Sequence, residues 1–153
     1  MPNSDIEQLL QSNTPVQFHP TGTSMFPLFT GAGDYAVVEP LGGRRPKRGE
    51  ICVYRRPNGP LVIHRVWKNN KTGIYFVGDR QKTVEGPLPE SCVLGRMTSY
   101  IKKGRKHYVK ELHYRIYSVL WLWLRPLRPF LFKIGHLIKV LLCKITGKEY
   151  IPC

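Results

Sequence analysis

Ser24 stands in the run Thr21-Gly22-Thr23-Ser24-Met25-Phe26-Pro27, and His64 stands downstream in Leu61-Val62-Ile63-His64-Arg65-Val66-Trp67. A serine hydroxyl becomes a nucleophile when a tight turn presents it, backbone N–H groups can hold an oxyanion, and a base is within hydrogen-bond reach. Gly22 permits the turn, Pro27 stops a long helix from following, and Met25 can pack or touch a substrate. Taken alone the heptad describes any solvated turn. Its partners downstream give it chemistry: a histidine on a β-type run, then Gly78-Asp79, then Glu85. A carboxylate near the imidazole would orient it and stabilise its charged form. Gly22, Thr23 and Met25 make up the candidate substrate and oxyanion turn around Ser24. Such a mechanism needs no cofactor and no metal, and Cys52, Cys92, Cys143 and Cys153 have no C-x-x-C spacing.

Short strands must position these groups. Val16-Gln17-Phe18 alternates and leads into the Ser24 turn, and the spacing predicts further strands over 35–39, 51–55, 61–68, 74–77, 93–101 and 106–109. Asn69 to Gly73 has the composition of a hairpin turn, as does Pro57-Asn58-Gly59-Pro60. On the histidine strand, alternation sets Val62, His64 and Val66 opposite Ile63, Arg65 and Trp67. Ser4 to Gln11 predicts a short helix, with Ser4 as N-cap and Glu7 completing a capping box.

The ordered motifs resemble the signal peptidase I and LexA-like clan of serine peptidases. The G-x-S-M-x-P element is matched by Gly22-Thr23-Ser24-Met25-Phe26-Pro27, and Gly33-Asp34 precedes the strand Tyr35-Ala36-Val37-Val38. Arg48-Gly49-Glu50-Ile51 stands where a second Gly-Asp is usual, and Gly78-Asp79 supplies the last. The resemblance spans roughly residues 16–101. With a histidine in place of the lysine common in the clan, His64 places the chain beside the Ser–His branch, which includes the catalytic subunit of the endoplasmic-reticulum signal peptidase. The resemblance implies a mainly β, LexA/signal-peptidase-like fold, and the change of composition at Leu112 divides the chain into that domain over 1–111 and a helical appendage over 112–153. It also implies a serine endopeptidase acting on an extended peptide or protein precursor. Glu85 stands where that branch carries aspartate, so Glu85 and Asp79 both remain candidates for the orienting acid.

The formal net charge of +14 fits an anionic partner. Arg44, Arg45, Lys47 and Arg48 read as a solvated loop, and no nucleic-acid-binding motif is present, so nucleic acid is not expected. Met1 to Gln11 lacks the apolar core of an export signal. From Leu112 the chain turns aromatic and helical in period, is broken by Arg125-Pro126 and Arg128-Pro129, and resumes at Phe130 to Ile145 with Lys133, His136, Lys139 and Lys144 along it. The uncharged run Ile116 to Leu124 is far short of the ~18 residues that span a bilayer. Tryptophan, tyrosine and basic residues on apolar helices suit an in-plane element on an anionic membrane surface over 112–145. The expectation is therefore peripheral membrane association on the cytoplasmic side. The rival readings are a LexA-like regulator that cleaves itself or a repressor, and a non-catalytic membrane or nucleic-acid binding module.

Overall fold

The computed structural model describes residues 3–31, 33–57 and 59–146; Asn58 and Cys153, named above, lie outside them, as do the side chains of Lys139, Cys143 and Lys144. Among the described residues the chain is mainly β. Its strands are β1 (Val16–Phe18), β2 (Tyr35–Pro40), β3 (Ile51–Arg55), β4 (Leu61–Asn70), β5 (Gly73–Val77), β6 (Glu85–Leu88), β7 (Val93–Lys102) and β8 (Arg105–Tyr108). They form one antiparallel sheet in the order β1-β2-β7-β3-β4-β5-β6, with β8 on β7. One edge of β7 is shared: its first half pairs with β3 and its second half with β8, while β2 runs along the other edge. The Lys102–Arg105 hairpin closes through Lys103 and Gly104, both at positive φ, the geometry a two-residue turn needs to match strand twist.

Strand β3 lies between two cores. Ile51 and Val53 join Val38, Ile63 and Met97 on one side, and Cys52 and Tyr54 join Val66, Ile74 and Phe76 on the other. Burial on both faces explains why Ile51 to Tyr54 lacks the polar alternation of a half-exposed strand. Helix α1 (Asn3–Gln11) lays Ile6 and Leu10 on the first core, and Glu7 pairs with the Arg55 guanidinium of β3. Glu7 is thus engaged by β3 and not by a capping box. Ser4 lies inside the helix, where its hydroxyl donates to Asp5 Oδ1 at 3.1 Å. The basic loop is not simply solvated, because Arg44 pairs with Glu50, Arg45 with Glu90 at 2.8 Å, and Arg48 lies 4.9 Å over the Trp67 ring.

The compact β unit runs to Leu122, and a second unit starts at Trp123. The boundary expected at 111/112 therefore lies too early. Helix α2 (Leu112–Trp123) buries Tyr114, Ser118 and Leu122 and belongs with the sheet. The reason is polar as well as apolar: α2 satisfies a buried arginine, described below. Helix α3 (Arg128–Thr146) carries Pro129 in its first turn, where a missing N–H costs nothing, so the Arg128-Pro129 pair starts this helix instead of breaking one. Phe130, Ile134, Leu141 and Ile145 recur along one stripe of α3 and are 49–79% exposed. No helix among the described residues is long and apolar enough to cross a membrane.

Candidate active site

The turn carrying Ser24 is anchored on both sides. Met25, Leu28 and Phe29 sink into the first core, and Lys102 Nζ donates to the carbonyls of Pro27 and Leu28 at 2.7 Å each. Burial pulls the Lys102 pKa down, opposed by the Asp34 carboxylate. On the other side, Arg80 N–H donates to the Ser24 carbonyl at 2.8 Å. A Cβ on Gly78 would fall 2.8 Å from that same carbonyl oxygen, so the Gly78-Asp79 turn needs glycine to reach the nucleophile turn. Gly22, at φ +80°, has open space around it and is required for conformation alone. Thr23 is exposed. The Met25 side chain is 3% exposed and packs in the first core, one of the two roles the sequence left open to it, so its backbone is the part that can face a substrate. Among the described residues, neither the Ser24 N–H nor the Met25 N–H has a hydrogen-bond partner.

Ser24 and His64 line one cavity of about 710 Å³, together with Gln17, Phe18, Arg56 and Gln81. The Ser24 hydroxyl makes no hydrogen bond among the described residues, and none joins it directly to His64. His64 is 1% exposed, on the face of β4 that carries the second core. Its Nδ1 lies 3.0 Å from the Tyr54 hydroxyl and 3.5 Å from Glu85 Oε1. Tyr54 also donates to Glu85 Oε2 at 2.9 Å. A phenol has one proton, so Tyr54 gives it to the carboxylate and must accept from Nδ1–H. That order fixes the neutral imidazole as the Nδ1–H tautomer and leaves the lone pair on Nε2. Nε2 has no hydrogen bond among the described residues and is not fully occluded, as a base facing a cavity would be.

Glu85 is held by the Arg56 guanidinium, whose Nε donates to Oε2 at 2.8 Å. The Arg56 hydrogen bond keeps the carboxyl below its ordinary range, outweighing the burial penalty, and the Tyr54 bond adds to it. Burial pushes the His64 pKa down to about 4, partly opposed by the Glu85 charge. The ring is therefore neutral at pH 7 and able to accept a proton.

Asp79 does something else. It is fully buried and forms a double hydrogen bond with Arg65, Nε to Oδ1 at 2.8 Å and NH2 to Oδ2 at 2.7 Å. Arg65 neighbours His64 in sequence but projects from the opposite face of β4, beside Ile51 and Ile63. Helix α2 completes this pair: Tyr117 donates to Asp79 Oδ2 at 3.2 Å, Trp121 Nε1 to the Asp79 carbonyl at 3.1 Å, and Arg65 NH1 to Ser118 Oγ at 2.7 Å. Of the two candidate acids, Glu85 is thus beside His64, and Asp79 is beside Arg65. Sequence reasoning passed over Tyr54 and Arg56. The hairpin register Arg55↔Leu61 could have found Tyr54, since it sets residues 52 and 54 on the His64 face.

No family model, no curated protein and no solved structure matches the chain.

Proposed function

We propose that the chain is a serine endopeptidase in which Ser24 is the nucleophile and His64 the general base, with Glu85 acting on His64 through Tyr54. The observation that carries this reading is the proton order around His64. Nδ1–H is committed to the Tyr54–Glu85 relay while the basic Nε2 is uncommitted, and ring and serine line the same cavity. In the reaction Nε2 takes the Ser24 proton as Oγ attacks the scissile carbonyl, and the unpartnered N–H groups of Ser24 and Met25 are the candidate oxyanion donors. The imidazolium then gives its proton to the leaving amine, its charge offset by Glu85. The substrate is an extended peptide: β5 begins to pair with β4 only at Arg65, which leaves the outer edge of Leu61–His64 without a strand among the described residues. β1, with Gln17 and Phe18 in the cavity wall, is also an edge. Either edge offers backbone groups for strand addition. The motif order similar to the signal-peptidase and LexA-like clan supports the same reading. A fluorophosphonate probe tests it: peptide mapping should find the adduct on Ser24, with labelling lost in Ser24→Ala and strongly slowed in His64→Ala. Labelling elsewhere, or none, would sink the peptidase reading.

The second unit supports peripheral attachment to an anionic membrane. Phe130, Ile134, Leu137, Leu141 and Ile145 are exposed along α3, a stripe that water does not favour and a lipid interface would bury. Lysines and arginines beside such a stripe contribute about 1 kcal/mol each at an anionic surface. Only the outer face of α2 can take part, since its inner face is committed to the sheet. Flotation of the full chain with phosphatidylserine-containing vesicles should succeed for the wild type and fail for Leu137→Asp/Leu141→Asp. Equal flotation of the two proteins would rule out α3 as the attachment.

A further inference from the structure

His107, Glu111 and His113 are absent from the lining of the Ser24 and His64 cavity, and the proposed peptidase mechanism makes no use of them. His107 is on β8, Glu111 precedes the first turn of α2 and accepts the Arg115 N–H at 3.1 Å, and His113 is in that first turn. One donor atom from each lies within 4.8 Å of the others. His113 Nε2 is 3.3 Å from Glu111 Oε2, and His107 Nδ1 is 4.0 Å from the same oxygen. Three ligand-type groups from two elements and the turn between them thus converge on one spot. We propose that His107, Glu111 and His113 form a binding site for a borderline transition-metal ion, zinc being the test case.

Three observations carry it. The first is spacing. Metal–nitrogen and metal–oxygen bonds of about 2.0–2.1 Å set tetrahedral ligand separations near 3.3 Å. The Glu111–His113 pair already has that separation, and the widest pair needs to close by about 1.5 Å, within the reach of side-chain rotation. The second is preorganisation. The His107 ring stacks on Tyr100, a residue of the first core, with centroids 5.1 Å apart and planes 20° apart, and meets His113 edge-on at 5.7 Å. The two histidines sit on hydrogen-bonded elements, β8 and α2, which hold a site more closely than a loop does, and Glu111 is the residue just before α2. The third is selectivity. Two imidazoles and one carboxylate suit zinc, copper or nickel, whereas calcium and magnesium take oxygen ligands. The nearest charged residues in sequence, Arg105, Lys106, Lys110 and Arg115, are basic, so an ion would be held by directional imidazole donation and not by bulk charge. Half-exposed ligands leave a fourth position open to water. A bound ion would tie β8 to the start of α2, the helix that holds Arg65 and Asp79 through Ser118, Tyr117 and Trp121.

The test uses the full chain. Isothermal titration with Zn²⁺ at pH 7.5 should give one saturable site with Kd in the micromolar range or below. His107→Ala and His113→Ala should each weaken it at least tenfold, with unchanged far-UV circular dichroism, and His64→Ala should leave it intact. Co²⁺ substitution should give visible d–d bands without a thiolate charge-transfer band. Absence of saturable binding, affinity untouched by the His107 and His113 changes, or a thiolate band (which would assign the ion to cysteine) would each overturn the proposal. None of these readouts depends on the peptidase reading.

Discussion

Ser24→Ala and His64→Ala should each remove practical peptide hydrolysis, by at least the ~10²–10⁴-fold typical of general-base assistance. Ser24→Ala should do so without a change in melting temperature, because the hydroxyl holds no hydrogen bond among the described residues and is only half-buried. Tyr54→Phe should behave differently. It keeps the ring stacked on Phe76 at 4.1 Å but removes the hydroxyl between His64 and Glu85. Losing a hydrogen bond to a group that becomes charged costs about 1.5–3 kcal/mol, or roughly 10- to 150-fold in rate. The pH profile separates this from a packing defect. With its pKa lowered to about 4, His64 is an ineffective base only below that pH, so kcat/KM should rise as pH increases through about 4 and then stay level across the ordinary histidine range. Glu85 raises the His64 pKa, so Glu85→Gln should move the acid limb to still lower pH while the plateau falls. An acid limb centred near pH 6.5 in the wild type would mean that His64 is not buried and neutral as described.

The strands were legible because their patterns were local. Val16–Phe18, Ile51–Arg55 and the β4–β5 hairpin carry β-type residues bounded by turn residues, and the structure places strands there. β6 was not legible: Glu85-Gly86-Pro87-Leu88 has no alternation and contains the two residues least suited to a strand, which only an edge position tolerates. Ser24 and His64 were singled out from motif order, and the structure sets both on one cavity. The partners of His64 are long-range, Tyr54 from β3 and Glu85 from β6, so no window of sequence contains the relay. The split between Glu85 and Asp79 did have a signal. Alternation puts Arg65 on the face with Ile63, and a guanidinium buried there must find a carboxylate. The aromatic run of α2 read as a lipid face because Tyr117, Ser118 and Trp121 look amphipathic at an interface, yet their polar atoms serve the Arg65–Asp79 pair.

Asp79→Ala should lower stability by about 3–5 kcal/mol, the cost of leaving one member of a buried ion pair without its partner. Both side chains are 0% exposed, so water cannot take the place of the carboxylate. Arg65 would retain Ser118 Oγ and the Gly49 carbonyl on NH1, but Nε and NH2 would lose the two acceptors now at 2.8 and 2.7 Å. For a unit of this size the loss corresponds to a fall in melting temperature on the order of 10 °C. Tyr117 would also lose its acceptor, so amide exchange in α2 should quicken before the rest of the sheet is affected. Activity would fall as well, because the Gly78-Asp79 turn supports the Ser24 carbonyl. That fall should follow the folded fraction and recover on cooling, whereas Glu85→Ala should slow a protein that stays folded. Replacing both members with apolar residues, Arg65→Met with Asp79→Leu, should restore most of the stability, since no uncompensated charge then remains in the core. Thermal unfolding of the two single variants and the double variant measures the coupling directly. An Asp79→Ala protein that melts like the wild type but hydrolyses far more slowly would overturn the structural role and return Asp79 to the catalytic set.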